Sequence, residues 1–273
     1  MRPLLFLLAF CCSCCMYAQT VQLSPLQVVE NYVSPQGFPA KKMHVSGELT
    51  GERKSDTTLG QRLPLRVQRH SRLIKQDSSF ACVAVWLHDS LLSTDYYFYL
   101  RKKEVWSMYA IRTISGTAPV KAELDRLDSV PPAQRGKSYT AAHSHSWAFE
   151  KANMALFLSS DSVLKSHFRS NHKAFANLQA TLAKNPQQCV NDSLLARAFA
   201  AKKISRKATK LLIRSVITDK QSPGGLLFLV GGTGDNRVGY LYQPDPALIP
   251  PVSARNYILV EAMGNGWYLI KTT

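Results

Sequence analysis

Apolar side chains recur at every second position along much of the first half of the chain, which is the period of a β-strand. Tyr96, Phe98 and Leu100 share one face of such a strand, and Tyr97 and Tyr99 share the other. Because short turns join antiparallel neighbours, we predict a meander sheet. Since aromatic residues lie on both of its faces, we expect each face to be covered at least partly. Its four strands are predicted at residues 64–75, 80–87, 92–100 and 105–114.

A short helix is predicted ahead of this sheet. Ser24, Pro25 and Gln27 have the form of a capping box, in which the serine accepts from helix amides, the proline suits the first turn and the glutamine reaches back. The helix should run to about Tyr32 and cover one face of the sheet. Residues 43–49 again favour a period of two, so we expect extended chain there.

Apolar residues in the middle of the chain recur at the three- and four-residue spacing of helices. The best boundary in the chain precedes them, at the proline-bearing residues 131–136. The last helical region opens at Asn191 or Asp192 and runs towards Ile217, with or without a break near Ser205. The other predicted elements are a short helix at residues 120–127, a buried element of open type at 148–158, and helices at 163–170 and 172–183.

The C-terminal part returns to strand character. Gly264, Asn265 and Gly266 predict a tight hairpin turn, because these residue types tolerate positive φ angles. The strands are predicted at residues 226–230, 238–242, 257–262 and 267–272. The whole pattern predicts an α+β fold: an N-terminal helix with an antiparallel meander sheet, a central helical segment and C-terminal antiparallel hairpins.

The order of elements also suggests domains. We predict an α+β domain at residues 19–116, a linker at 117–147, and a helical segment with C-terminal hairpins at 148–273. One helix followed by an antiparallel meander that ends in a strand around Trp106 resembles cystatin-like and NTF2-like domains. The resemblance covers roughly the first third of the chain. It implies a binding or adaptor module and assigns no functional residue.

Residues 1–18 are predicted to be an export signal, because Arg2 precedes an apolar run and the small Ala18 stands before a polar Gln19. The run is shorter than the roughly 20 apolar residues that cross a bilayer. We therefore expect the signal to be cleaved and the mature chain to have no transmembrane span. The protein would then be secreted or periplasmic.

The six cysteines divide into a leader group and a mature pair. The leader group raises lipoprotein processing as an alternative, but the residues before each cysteine fit that signal poorly, so we favour simple cleavage. Cys82 and Cys189 are too few for a disulfide scaffold. Cys82 lies in an apolar run that favours a buried free thiol, and a bridge to Cys189 stays open. The leader group is Cys11, Cys12, Cys14 and Cys15.

Basic residues strongly outnumber acidic ones in this chain. The 34 Lys and Arg against 18 Asp and Glu give a formal net charge of +16, and loss of Arg2 with the signal leaves about +15. Such a protein attracts anionic partners, and we consider an acidic glycan, an anionic lipid headgroup or an acidic protein. The alternative is that the charge only aids solubility.

The strongest candidate site is a basic stripe on the last predicted helix. Lys203, Lys207, Lys210 and Arg214 recur there at four-three-four spacing, with no acidic residue among them. Like charges at this spacing repel by roughly 0.2–0.5 kcal/mol per pair, which an acidic partner would relieve. The segment has no interleaved aromatic residues to stack on bases, so nucleic acid is not favoured. A solvated surface helix is the alternative interpretation.

Other chemical signals are weaker. His143 and His145 have a spacing that some metal sites use, but a third ligand is not evident, so we favour a polar loop and predict no metal or cofactor. The glycine-rich residues 231–236 follow a strand, yet another strand follows them instead of the helix that a phosphate-binding loop needs. No Gly-x-Ser-x-Gly motif marks a nucleophile.

These observations predict an exported binding or adaptor protein of a bacterial envelope, which recognises an anionic partner through the basic stripe and has no catalytic residues. Two alternatives stay open. One is a secreted hydrolase with His143, His145 or His167 in its site. The other is a structural or assembly component held to its neighbours by aromatic surface.

Overall fold

The computed structural model of the protein describes part of the chain, and the leader, His143 and Cys189 lie outside that part. Within it the fold is α+β, as predicted, with helices between a four-stranded sheet and a six-stranded sheet. The described residues are 22–90, 93–136, 145–184, 190–191, 202–233 and 235–273.

The first sheet is the predicted meander. Each strand pairs antiparallel with the next, and Tyr97 lies opposite Ala84 while Phe98 lies opposite Val83. The aromatic residues therefore alternate between the two sheet faces, and all of the Tyr97–Leu100 stretch is buried. The strands are β1 (Gln68–Gln76), β2 (Phe80–His88), β3 (Ser93–Lys102) and β4 (Trp106–Arg112).

Helix α1 (Pro25–Val33) covers one face of this sheet, as predicted. The Ser24 side chain accepts from the Gln27 backbone amide, and the Ser24 amide donates to Gln27 Oε1 at 2.9 Å, which confirms the capping box. The buried side of α1 packs against the inward residues of β2 and β3. The residues in this contact include Val28, Val29, Tyr32, Val33, Val83, Val85, Phe98 and Leu100.

The segment between α1 and β1 corrects one expectation, because residues 43–49 do not form a strand. Val45 makes a single bridge to Met108 of β4, and Gly47 then turns the chain at a φ of 56°. A left-handed residue ends an extended segment, so only one bridge forms. The segment instead holds 3₁₀ helices at Lys41–Met43 and Gly47–Arg53 and the short helix α2 (Leu59–Arg62).

Helix α3 (Thr117–Asp128) covers the helix predicted at 120–127. The element of open type at 148–158 is also a helix, α4 (Trp147–Phe157). Helix α5 (Asp161–Ala183) is one helix where two were predicted. Its buried residues keep a helical spacing across the polar Ser170 and Asn171, so the helix continues through them. These buried residues include Leu164, Phe168, Phe175, Leu178 and Leu182.

The prediction of a helix running to Ile217 is wrong. Helix α6 (Lys202–Lys210) is followed by Leu212 in the left-handed conformation at a φ of 56°. The Ile213 amide donates back to the Ala208 carbonyl at 2.9 Å, which closes the helix end. The chain then enters strand β6 (Ser215–Asp219), which was not predicted.

The second sheet contains the predicted C-terminal hairpins. Its strand order is β5-β6-β7-β8-β10-β9, and all neighbours are antiparallel except β5 and β6. The predicted turn is confirmed, since Gly264, Asn265 and Gly266 all have positive φ angles. Of the glycine-rich residues 231–236, Gly231, Gly232 and Thr233 belong to β7 and Asn236 begins β8. The remaining strands are β5 (Val190–Asn191), β7 (Ser222–Thr233), β8 (Asn236–Tyr242), β9 (Tyr257–Gly264) and β10 (Trp267–Thr272).

The largest hydrophobic cluster joins the second face of the first sheet to α5 and the second sheet. Phe175 of α5 lies at its centre, with ring centroids 5.1 Å from Tyr240 and 5.7 Å from Trp267. The Tyr99 hydroxyl of β3 donates to the Ile258 carbonyl of β9 at 2.7 Å. Residues from both sides of the predicted linker thus share one core, and the domain boundary itself stays a prediction.

Candidate functional site

A groove of about 650 Å³ lies between α5 and α6, next to the predicted basic stripe. Leu178 and Leu182 are buried on the opposite side of α5, and smaller and polar residues occupy the side that faces the groove. Ala174 and Ala180 leave the space that forms it. The lining residues are Asn171, Ala174, Asn177, Ala180, Thr181 and Lys184 from α5, and Lys207, Lys210 and Leu211 from α6 and its end.

Packing of α6 sets the position of the lysines. Ala208 and Leu211 are buried against the core, which turns Lys207 and Lys210 towards the groove. The Lys207 Nζ atom donates to Thr181 Oγ1 of α5 at 3.2 Å, so this ammonium is held across the two helices. Lys210 is exposed at the rim.

The groove is electropositive. Among the described residues that line it, three are lysines and none is a carboxylate. The surrounding sequence shares this bias, since residues 162–218 contain eleven Lys and Arg and a single acidic residue, Asp192. A concave surface with one sign of charge concentrates ions of the opposite sign. The groove can therefore bind carboxylate, sulfate or phosphate groups by charge and by hydrogen bonds.

The structure brings together two of the four residues predicted from the sequence. Lys207 and Lys210 line the groove. Lys203 lies on α6, and its side chain falls outside the described part of the chain. Lys184 joins the groove from α5 and was not predicted, because its position in the sequence is remote from the stripe and only helix packing brings it close.

Arg214 does not belong to the helical stripe, which corrects the prediction. It follows the end of α6, and its Nη2 atom donates to Glu150 Oε2 at 2.6 Å and to Asn153 Oδ1 at 2.9 Å. Burial alone would raise the pKa of Glu150, but the hydrogen bonds from Arg214 and the nearby His145 ring outweigh it and lower the pKa to about 2. The Arg214 charge is therefore matched by a carboxylate inside the protein.

The two candidate histidines that the structure describes, His145 and His167, have structural partners. His145 stacks on Phe149 with centroids 4.5 Å apart, and its Nδ1 lies 3.3 Å from Glu150 Oε1. His167 Nε2 lies 3.0 Å from the Leu211 carbonyl oxygen. Within the described ranges, no three His, Cys, Asp or Glu side chains are grouped so that they could hold a metal ion. The hydrolase alternative stays a hypothesis.

Cys82 is a buried free thiol, in agreement with the favoured interpretation. Burial raises the pKa of this thiol to about 12, so it is protonated at neutral pH. A protonated, enclosed thiol is a poor nucleophile. Cys82 therefore contributes to packing and not to a reactive site.

Comparison with known proteins gives no relative. No protein-family model matches the sequence, and neither a curated protein nor a solved structure matches it. The resemblance of the N-terminal third to cystatin-like and NTF2-like domains stays a prediction. In the part of the chain that the structure describes, no helix has the length and apolar character needed to cross a membrane.

Proposed function

We propose that this protein is an exported binding protein of a bacterial envelope, and that the groove between α5 and α6 holds an anionic partner. One observation supports this most directly: Lys184, Lys207 and Lys210 converge on a concave surface whose described lining has no carboxylate. The proposal of export rests on residues 1–18, and fractionation with N-terminal sequencing of the mature protein tests it.

An acidic glycan suits the groove best among the anionic partners. Asn171, Asn177 and Thr181 line the groove together with the lysines and contribute amide and hydroxyl groups. Ammonium groups pair with the carboxylates or sulfates of such a chain, while amides and hydroxyls bond to its hydroxyl groups. Anionic lipid headgroups and acidic proteins are attracted by the same charge and remain the alternatives.

The double charge reversal Lys207→Glu with Lys210→Glu tests the groove. Each lysine near an anionic surface contributes about 1 kcal/mol, so we expect roughly tenfold or greater loss of binding. Binding is measured by calorimetry with a polyuronate and by co-sedimentation with vesicles of anionic lipid. Loss in the polyuronate arm supports a glycan, whereas loss in the vesicle arm alone supports a headgroup.

The matched control is Lys42→Glu with Lys75→Glu, which changes the net charge equally at two exposed positions elsewhere. This control should retain most of the binding if the groove is the site. Equal losses in both double variants would show that only the total charge matters and would contradict the groove. Binding that survives reversal of Lys207 and Lys210 would contradict it as well.

A further inference from the structure

A second cleft, of about 620 Å³, lies where the two sheets meet. Its walls come from residues 88–90 and 93, from α3 and from the turn between α4 and α5. Its floor contains Asp95 of β3 and Lys271 of β10, so both sheets contribute a charged residue. Clefts between packed units of structure are preferred places for small-molecule sites.

The floor of this cleft is a buried network of charges. Lys271 Nζ lies 3.2 Å from Asp95 Oδ2 and 2.8 Å from Asp161 Oδ1. The Asp161 amide donates to Asp95 Oδ2 at 2.9 Å, and the Tyr97 hydroxyl donates to Asp161 Oδ1 at 2.8 Å. Arg72 pairs with the second oxygen of Asp161. The network holds the Asp95 carboxyl and the Lys271 ammonium in fixed positions.

Placing charges here is costly. Only 4% of Lys271 and 7% of Asp95 is exposed, and each buried ion loses several kcal/mol of hydration that the pairing must offset. Burial raises the pKa of Asp95 even though Lys271 opposes this, whereas Lys271 and Arg72 outweigh burial at Asp161 and lower its pKa. Perturbed groups of this kind at the base of a cleft are typical of functional sites.

The rest of the lining identifies the kind of ligand. Hydroxyl groups come from Thr94, Thr113, Thr117 and Ser159, and an apolar wall is formed by Ala118 and Phe157. The cleft differs from the α5–α6 groove because carboxylates and ammonium groups both line it. Its charges therefore do not select an anion, and a neutral ligand with many hydroxyl groups satisfies its donors and acceptors.

We infer that this cleft binds a neutral monosaccharide. A sugar hydroxyl donates to the Asp95 carboxyl, and a neighbouring hydroxyl accepts from the Lys271 ammonium. The apolar C–H face of the ring packs on Phe157. This inference does not depend on the proposed function of the groove, since the two sites share no lining residue.

Saturation-transfer NMR tests the inference on the full chain with glucose, galactose, mannose and N-acetylglucosamine as probes. At least one of these sugars should receive saturation from the protein. Ala118→Trp fills the cleft from an exposed position on α3 and should abolish the signal. The matched control, Ala122→Trp, adds the same ring at an exposed position on α3 that does not line the cleft, and it should retain the signal.

A second variant tests the floor itself. Asp95→Asn keeps the shape of the side chain but removes its charge, and loss of a hydrogen bond to a charged group should weaken sugar binding roughly tenfold or more. If Asp95→Asn melts at a much lower temperature, its loss of binding could come from unfolding, and the Ala118→Trp variant alone then tests the inference. Absence of saturation transfer for all four sugars, or its persistence in Ala118→Trp, would overturn the inference.

Discussion

The buried side chain of Asn153 helps to set the position of the Arg214 guanidinium. Asn153 is 1% exposed, and its Nδ2 atom donates to the carbonyls of Leu212 at 2.8 Å and Val230 at 2.6 Å. Its Oδ1 atom accepts from Arg214. The same amide thus supports the left-handed Leu212 and directs Arg214 to Glu150. The charge that the sequence placed on the helical stripe is instead paired with a carboxylate of α4.

The Glu150 carboxylate should make the stability of the protein depend on acid pH. Its pKa falls from an ordinary value of 4.5 to about 2 in the folded chain. Above pH 4.5 the charged form favours the folded state fully, and as the pH falls towards 2 the unfolded chain takes up the proton first, so this stabilisation is lost. We expect Glu150→Gln to flatten the fall in the free energy of unfolding over this range.

Urea denaturation at several pH values between 2 and 6 measures the effect. The control is Glu30→Gln, which removes a carboxylate at an exposed position of α1. The control should keep the pH dependence of the original protein. If Glu150→Gln and Glu30→Gln give the same curve as the unmodified chain, the pairing with Arg214 and His145 has no energetic weight.

At the scale of elements, the spacing of apolar residues along the chain explains which predictions succeeded. The central strands β2 and β3 of the first sheet bury both faces, so their apolar runs and the polar turns that separate them predicted the strands directly. The capping box of α1 and the Gly264–Gly266 turn carry local backbone requirements that a few residues express. Such elements need little information from distant parts of the chain.

The elements that were missed depend on distant contacts. After α6 the chain turns at the left-handed Leu212 without a glycine or proline, and the amide that supports this conformation comes from Asn153 of α4. The groove required Lys184 to lie beside α6, and the cleft required Asp95 and Lys271 to meet from two sheets. Pairs separated by this much sequence leave no periodic signal, so only the fold reveals them.

Gly60 permits a close approach that should not tolerate a side chain. A Cβ atom there would lie 2.2 Å from the backbone carbonyl of Val33, at the end of α1. Neither backbone segment can yield cheaply, so we expect Gly60→Ala to lower the free energy of unfolding by about 1–3 kcal/mol. Gly51→Ala is the control, because its Cβ would meet nothing within 4 Å.

Chemical denaturation of both glycine variants gives the comparison. Gly51→Ala should change the stability by less than about 0.5 kcal/mol, as surface substitutions do. A loss confined to Gly60→Ala would show that the contact between α1 and α2 supports the sheet behind it. Equal stabilities would mean that α2 moves away without cost, which the buried position of Gly60 argues against.

At the scale of the whole molecule, the two sheets are joined by both apolar and polar contacts. The Tyr99 hydroxyl bonds to Ile258 across the sheets, and Lys271 of one sheet pairs with Asp95 of the other. Cys82 lies in the apolar cluster that spans this junction. Because separation of the sheets would expose all of these groups together, we expect them to unfold in one transition.

The Cys82 thiol can report this directly, since it is buried and its pKa is raised to about 12. In a Cys189→Ser chain that starts at Gln19, modification of the remaining thiol should require global unfolding, so the free energy of opening should equal that from urea denaturation. The control is the same chain with Cys82→Ser and Ser79→Cys added. Its only thiol lies at an exposed turn, so it gives the rate at which an unprotected thiol is modified. Modification of Cys82 at a smaller free energy than global unfolding would mean that the sheets part while each stays folded, as the predicted boundary at residues 117–147 would allow.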